Sequence, residues 1–248
     1  MALAERLRRT SDPEANMSLI EHLKELRRRL LISAVAVAIL SVVAFLAYDQ
    51  ILSFLREPYC RANHNKCTLY VTSPLDGLSL RLKVALFGGI FLSVPVILYQ
   101  LWRFVTPGLK KAEKRYVIPF LVASIVLFAA GAALAFYGFE HALIFLAQIG
   151  GPGLEQIYNP NSYLMLILMM MLIFGLMFEF PVVLVGLEFM RVVTSAQLLK
   201  AWRWAIIGIT VLSALFTPSG DPFSMLILMF PLIGFYFLAI GIGKLAKR

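Results

Sequence analysis

Residues 163–187 read YLMLILMMMLIFGLMFEFPVVLVGL, and this apolar run contains a single charged side chain, Glu179. A helix of this length rises about 36 Å, which is enough to cross the ~30 Å hydrocarbon layer of a bilayer. An acidic group near the centre of such a span costs about 2.5 kcal/mol or more. We therefore interpret Glu179 as a functional residue that contacts a partner helix or a translocating substrate. The alternative is a protonated Glu179 that bonds a backbone carbonyl inside a packed bundle.

Pro181 follows Glu179 by two residues and predicts a bend in the helix beside the carboxyl group. A proline has no backbone N–H, so the carbonyl of Met177 loses its usual helical partner. Such a break is tolerated within a membrane where neighbouring groups satisfy the freed carbonyl. We therefore expect the apolar run to be interrupted next to its one acid.

Composition places the chain among membrane proteins. Of its 248 residues 60% are hydrophobic and 15% charged, and the mean hydropathy is +0.82. That much apolar surface cannot be kept from water in a soluble fold, so we predict an all-α integral membrane protein. The net charge of +9 would suggest nucleic acid for a soluble domain. Here the basic residues lie at the ends of apolar runs, so we expect the lipid bilayer, and not nucleic acid, to be their partner.

The apolar runs divide the chain into a polar tail and one membrane domain. Residues 1–16 are interpreted as a mobile cytoplasmic tail without a removable signal. In 17–29, leucines recur at helical spacing among charged residues, which predicts an amphipathic helix leading into the first span. The membrane domain, 17–243, contains six predicted spans at about 30–48, 84–102, 116–139, 163–187, 204–216 and 223–242. Residues 244–248 form a cytoplasmic end.

Lysine and arginine are unevenly distributed between these spans. Eighteen of the 23 basic residues lie within residues 1–29, in the segments 103–115 and 191–203, and at the C-terminus. Segments rich in Lys and Arg face the cytoplasm in membrane proteins. We therefore predict that both termini are cytoplasmic.

Two cysteines, Cys60 and Cys67, fall in the first segment that this orientation exports. An oxidising compartment favours a disulfide that closes a small loop between them. Two alternatives remain open. One is a metal site that includes His64 but lacks a fourth ligand, and the other is a pair of free thiols.

Motifs of the common hydrolases and nucleotide-binding proteins are missing. The sequence contains no H-E-x-x-H, no G-x-S-x-G and no G-x-x-x-x-G-K-[ST]. Asp221 has no second intramembrane aspartate with which to form the acid/base dyad of an aspartyl protease. We therefore predict that the chain is not an enzyme and has no catalytic residues, no metal and no cofactor.

Two carboxylates stand among many bases in the segments predicted to be cytoplasmic. Glu25 lies within HLKELRRRL, and Glu113 is surrounded by four basic residues. Local pairing is one explanation, since Glu25 can reach Arg29 at the i+4 position. The spacing by itself favours that explanation, and a further observation is needed to assign a function to these acids.

Five blocks of sequence provide that observation. They are HLKELRRRL (22–30), SPLDGLSLRLKV (73–84), PVILYQLWRFVTPGL (95–109) with Glu113-Lys114-Arg115 after it, FGLMFEFPV (174–182) and FTPSGDPFSM (216–225). In this order they resemble the TatC subunit family of the twin-arginine protein translocase. The resemblance implies a concave bundle of six transmembrane helices whose last two spans are short. It also implies a bacterial-type plasma membrane as the location.

The resemblance further implies a role in protein export. Members of the family recognise signal peptides with an Arg-Arg pair on folded precursors. They assemble with single-span TatA-type and TatB-type partners, and the proton-motive force drives transport. Self-association of the chain is compatible with this role.

Individual residues match functional positions of the family. Glu25 and Glu113 match the carboxylates that bind the paired arginines in the family. The chemistry agrees with this role, because a guanidinium group can bind a carboxylate bidentately and an ammonium group cannot. Positions that shape the same cytoplasmic patch are matched by Arg27, Phe104, Pro107 and Leu109.

Further matches lie in the membrane and on the exported side. Glu179 matches an intramembrane acid near which partner helices pack. Thr217 and Asp221 match polar positions at the exported end of the fifth and sixth spans. The turn of the exported cap is matched by Pro58, Ser73 and Pro74.

Two other functional classes fit a polytopic membrane chain. A secondary transporter for a small solute would have its binding site at Glu179, but such transporters usually contain internal repeats, and the two halves of this chain show no self-similarity. A membrane scaffold without transport activity would tolerate neutral residues at both Glu25 and Glu113.

Overall fold

The computed structural model describes residues 19–63, 67–71, 73–106, 114–149, 151 and 158–245. These residues form α-helices and one 3-10 turn, Lys114–Tyr116, and no β-strand occurs among them. In chain order the helices are α1 (Leu19–Leu46), α2 (Tyr48–Ala62), α3 (Asp76–Val105), α4 (Val117–Ile149), α5 (Pro160–Met177), α6 (Phe180–Phe189), α7 (Ser195–Lys200), α8 (Trp202–Phe216) and α9 (Pro222–Leu245).

The predicted all-α membrane fold is confirmed. Five stretches of the described chain are long and apolar enough to cross a bilayer, namely most of α1, α3, α4, α5 together with α6, and α9. The sixth apolar helix, α8, is shorter, with 15 residues. Helix α9, with 24 residues, is the shortest of the five long stretches. Helices α8 and α9 are therefore the two shortest of the six apolar segments, as the resemblance implies.

Helix α1 packs along α3 and otherwise lies at the outside of the bundle. The two helices approach most closely where Gly89 of α3 faces Ser41 of α1. A Cβ atom at position 89 would lie only 2.6 Å from the backbone nitrogen of Ser41. A glycine is therefore needed at this crossing, because any side chain would push the helices apart.

The core of the bundle is formed by aromatic and aliphatic side chains from α2 to α5 and α9. Tyr163 of α5 is buried at its centre, and its hydroxyl donates to the carbonyl of Leu55 in α2 over 2.8 Å. The ring of Tyr59 lies edge-on to Tyr163, with their centroids 5.5 Å apart. Burying a tyrosine hydroxyl is tolerated here because it has a hydrogen-bond acceptor.

Helix α2 lies between the predicted spans at about 30–48 and 84–102, where no helix was predicted. Its buried residues are Leu55, Pro58 and Tyr59, while Arg56 and Glu57 lie on other faces. The stripe of one leucine and one tyrosine four residues apart has helical spacing, but Pro58 inside it argues against a helix. Packing against α4 overrides that local preference.

The predicted interruption beside Glu179 is confirmed. Helix α5 ends at Met177 and α6 begins at Phe180, with Pro181 in its first turn. At the junction, the amide of Phe178 donates to the carbonyl of Phe174 over 3.0 Å, and the amide of Glu179 donates to that of Leu176 over 3.1 Å. The chain therefore keeps these two amides paired where α5 ends and α6 begins.

We predict that Gly89→Ala lowers the stability of the protein by about 1–3 kcal/mol, because the added methyl group meets the backbone of Ser41. Thermal unfolding in detergent, followed by circular dichroism, measures the change. Gly234→Ala in α9 is the matched control, since no atom lies within 4 Å of a Cβ at that position. Equal melting temperatures for the two variants would contradict this account of the crossing.

Candidate functional site

The structure brings several helix termini together at one end of the bundle, which we call the basic end. Here α1 and α4 begin, and α3, α6 and α9 end. The ring of His22 in α1 stacks on Phe104 in α3 with centroids 4.3 Å apart. Tyr116, just before α4, contacts Phe189 of α6 edge-on at 5.2 Å. Phe104 therefore fixes the first turn of α1 against the last turn of α3.

Glu25 lies in the second turn of α1 and is paired with Arg29, one turn further along the helix. The Arg29 Nε atom donates to Glu25 Oε1 over 3.1 Å, and its Nη2 atom contacts the same oxygen. Arg29 Nη1 lies 3.4 Å from Oε1 of Gln100, which is buried in α3. The local pairing considered from spacing alone is thus present, and Arg29 also connects α1 with α3.

The second oxygen of Glu25 has a different environment. Oε2 is buried and accepts no hydrogen bond from any residue in the described ranges. The side chain as a whole is 18% exposed. A buried carboxylate oxygen without a donor is costly, and it is an acceptor available for an incoming cationic group.

Other residues predicted for this patch are only partly described. Arg27 is exposed on α1, on a different face from Glu25. Glu113, Pro107 and Leu109 lie outside the described residues. The structure therefore brings Glu25 and Phe104 to the basic end, and the predicted neighbourhood of Glu25 and Glu113 stays a prediction.

Glu179 faces a hollow of about 360 Å³ between α3, α4 and α6. Its Oε1 atom is buried and has no hydrogen-bond partner among the described residues. Ser124 in the same hollow is buried, and its hydroxyl accepts from the indole N–H of Trp102 over 3.1 Å. The remaining walls are mostly apolar and include Leu101, Val105, Val183, Leu187 and Met190. The hollow is thus an apolar surface with one acid at its edge.

Asp221 and Thr217 are both buried at the opposite end of the bundle, between α8 and α9. One oxygen of Asp221 accepts from the backbone N–H of Ser224 over 2.7 Å, and the other contacts the hydroxyl of Ser219. Thr217 donates to the carbonyl of Ser213 over 2.5 Å. In this arrangement Asp221 acts as the N-cap of α9, which is a structural role.

The residues predicted for the exported cap lie at the same end. Pro58 is buried within α2, whereas Ser73 and Pro74 are exposed in the turn before α3. The sulfur atoms of Cys60 and Cys67 form a disulfide bond, and the two Cα atoms are 4.7 Å apart. His64, the third member of the metal site considered above, lies outside the described residues. No group of three His, Cys, Asp or Glu side chains in the described ranges is arranged to hold a metal ion.

A polar network that the sequence analysis missed connects the start of α3 with the start of α5. Asn161 donates to one oxygen of Asp76 over 3.0 Å, and its own side-chain oxygen accepts from Lys83 over 2.9 Å. Asn159 donates to the other oxygen of Asp76 over 3.2 Å and also caps α5. The sequence Asn-Pro before a long apolar run is a start signal for a helix, and it could have located half of this network.

A second acid was also missed. Glu188 is fully buried near the end of α6, and neither of its oxygens has a hydrogen-bond partner among the described residues. Its carboxyl group lies against Gly243 of α9, where a Cβ would come within 2.5 Å of it. The predicted span ends at Leu187, so Glu188 lay just outside it and was assigned no role.

Comparisons with known proteins agree on one family. The family model described as Sec-independent protein translocase protein (TatC) matches residues 21–231. The chain is 40% identical to the Sec-independent protein translocase protein TatC of Frankia casuarinae, over 97% of this chain and 70% of that protein. It is 36% identical to that of Synechocystis sp., over 95% of this chain and 91% of that protein.

A solved structure supports the same relationship. The crystal structure of the twin arginine translocase receptor TatC superimposes with a TM-score of 0.77 and 35% identity, and the match covers 92% of this chain and all of that one. The helical bundle and the matching relatives define a multi-pass membrane protein of a protein-transport system. The chain belongs to the TatC family of Sec-independent protein translocases.

We predict that Asp221→Ala lowers stability by about 0.5–2 kcal/mol because the N-cap of α9 is lost. Asp221→Asn keeps a side-chain oxygen for the N–H of Ser224 and is expected to melt close to the wild type. Thermal unfolding in detergent compares the three proteins. If Asp221→Ala has the same melting temperature as the wild type, the aspartate does not stabilise α9 as its N-cap.

Proposed function

We propose that this protein binds the Arg-Arg signal peptides of folded precursors at its basic end and recruits TatA-type and TatB-type single-span proteins. The observation that supports this most directly is the state of Glu25, which holds one arginine and keeps a second buried oxygen without a donor. The TatC relatives are named as translocase proteins, which agrees with a role in transport.

Recognition of the signal begins with an exchange of guanidinium groups at Glu25. Arg29 already occupies Oε1, so the site has the geometry to accept an arginine. An arginine of the signal peptide takes Oε2, or replaces Arg29 at Oε1, and Glu113 binds the other arginine. A carboxylate accepts two parallel hydrogen bonds from a guanidinium group, which a lysine cannot provide. This difference gives the preference for Arg over Lys.

Several exposed bases surround this acid, including Arg27 and Arg28. They repel a generally cationic segment, so a peptide gains affinity only where its arginines reach the carboxylates. This combination of attraction and repulsion is a usual source of specificity. Arg27, Phe104, Pro107 and Leu109 shape the patch in this proposal, and the stacking of Phe104 on His22 supports that position for Phe104.

The apolar part of the signal then lies along the hollow that contains Glu179. The walls of the hollow are apolar, as the hydrophobic segment of a signal requires. Helices of the single-span partners pack at the same place, and a polar group on the partner satisfies the buried Oε1 atom of Glu179. Thr217 and Asp221 contribute to partner contact at the opposite end, where Asp221 also caps α9.

The direction of transport follows from the distribution of bases. The basic end faces the cytoplasm of a bacterial-type plasma membrane, both termini are cytoplasmic, and the exported cap contains Pro58, Ser73 and Pro74. An oxidising exterior agrees with the disulfide between Cys60 and Cys67. The proton-motive force drives export, which agrees with the lack of an ATP-binding motif in the sequence.

We predict that Glu25→Gln weakens binding of an Arg-Arg signal peptide by about tenfold or more, because a hydrogen bond between two charged groups is replaced by a weaker one. Glu113→Gln is expected to have a similar effect. Fluorescence anisotropy of a labelled peptide with the purified protein measures the affinity. A peptide with Lys-Lys in place of Arg-Arg is expected to bind the wild type weakly.

Glu57→Gln is the matched control for this experiment. Glu57 is paired with Arg61 at the same i, i+4 spacing as Glu25 with Arg29, but it lies on α2. Its replacement should leave the affinity for the peptide unchanged. If Glu25→Gln binds the Arg-Arg peptide as tightly as the wild type, Glu25 is not part of the recognition site and its pairing with Arg29 is only structural.

We predict that Glu179→Ala removes crosslinks between the hollow and a TatA-type or TatB-type helix. A photoreactive amino acid at Val183, which is exposed in the hollow, reports the contact in membranes. The same label at Val126, exposed on α4 but outside the lining of the hollow, is the control. If Glu179→Ala keeps full crosslinking and full export activity, Glu179 has only a structural role.

A further inference from the structure

A second cleft lies behind the hollow, between α4, α6 and α9, and has a volume of about 250 Å³. Its floor consists of three buried residues of α6, Pro181, Val182 and Val185. Its rim includes Pro119 of α4 and Ile242 of α9, which are both exposed. None of the lining side chains is charged, so the cleft can bind only an apolar group.

The dimensions of the cleft identify that group as a hydrocarbon chain. The lining residues of α4 and the turn before it extend from Tyr116 to Leu127, which is about 16 Å along a helix. This length is close to half of the ~30 Å hydrocarbon layer, the depth of one leaflet. A single acyl chain of one leaflet therefore matches the length of the cleft.

The polar end of the cleft is positively charged. Tyr116 and Phe189 line this end and contact each other at 5.2 Å. Arg115 precedes Tyr116 and donates to its hydroxyl over 2.6 Å, and Arg191 follows Phe189 by two residues. Both arginines are exposed, and they stand at the same end because their neighbours are in contact. Two guanidinium groups beside a narrow apolar cleft complement a phosphate attached to an acyl chain.

Among the described residues one acid, Glu188, lies near this end of the cleft, while Glu113, two residues before Arg115, lies outside them. Glu188 is adjacent to Phe189 in sequence, but its side chain is fully buried and faces Gly243 of α9. Among the described residues, the exposed charges beside the mouth of the cleft include those of Arg115 and Arg191. The carboxyl group of Glu188 is buried against Gly243 and is not exposed to a headgroup.

We propose that this cleft binds one anionic phospholipid, with an acyl chain between α4, α6 and α9 and its phosphate at Arg115 and Arg191. A zwitterionic lipid can fill the same cleft with its chain, but its positively charged headgroup gains less from the two arginines. Each cation near an anionic lipid contributes about fivefold in affinity, so the two together give roughly 25-fold selectivity.

Native mass spectrometry of the purified full-length protein in detergent tests this site. The protein is titrated with dioleoyl phosphatidylglycerol and, separately, with dioleoyl phosphatidylcholine. The wild type is expected to bind the first about 25-fold more tightly. The double variant Arg115→Gln, Arg191→Asn should bind both lipids equally; asparagine is chosen because Arg191 has a positive φ of 57°, which asparagine tolerates.

Variants that fill the cleft test the binding of the acyl chain separately from the contribution of the two arginines. Ala123 lines the cleft and is half-buried, so Ala123→Leu should weaken binding of both lipids by tenfold or more. Ala129→Leu adds the same side chain at an exposed position of α4 outside the cleft and should change neither affinity. If Ala123→Leu does not fold, Ile242→Phe narrows the cleft from the exposed face of α9 and should give the same loss.

Three outcomes would overturn the proposal. In the first, both cleft-filling variants retain the wild-type affinity for phosphatidylglycerol. In the second, the double arginine variant keeps its preference for that lipid. In the third, a cleft-filling variant loses copurification of a single-span partner while its lipid affinities stay unchanged, which would assign the cleft to a partner protein.

Discussion

The hydrocarbon layer offers no hydrogen-bond partners, and this constraint determines most of the structure. Each backbone amide inside it must find a partner within the chain, so the described spans are helices. The chain breaks this regularity between α5 and α6, where Pro181 removes one donor. There the amides of Phe178 and Glu179 bond to carbonyls of the preceding turn. These two hydrogen bonds keep the backbone amides at the interruption paired within the chain.

The same constraint explains how the acids are distributed. Asp221 caps a helix, Asp76 accepts from two asparagines, and both are satisfied. Glu25, Glu179 and Glu188 each keep at least one buried oxygen without a donor in the described chain. Unsatisfied polar atoms in an apolar setting are destabilising, so acids that retain them are the best candidates for exchange with a ligand. Two of these three acids lie at the ends of α6.

Helix α6 connects the hollow with the cleft behind it. Val182 and Phe189 of α6, together with Phe120 of α4, line both of them. A lipid chain on one face of this ten-residue helix would support the face at which we propose that a signal or a partner helix binds. Because α6 is short and packs mainly on α9, a lipid chain against α6 would affect the position of this helix in the bundle. Lipid binding and partner binding would then be coupled through one helix.

The sequence by itself determined the membrane class, the six apolar crossings, the interruption at Pro181 and the family, because hydropathy, proline and a series of local motifs are properties of short segments. It left the state of Cys60 and Cys67 open and did not predict α2. It also missed the Asp76 network and the burial of Glu188. These features depend on which helices become neighbours: the helix around Pro58 is stabilised by contact with α4, and Glu188 is buried only because Gly243 leaves room for it on α9. Tertiary structure decided them, since a helix pattern shows which face is apolar but not what that face will contact.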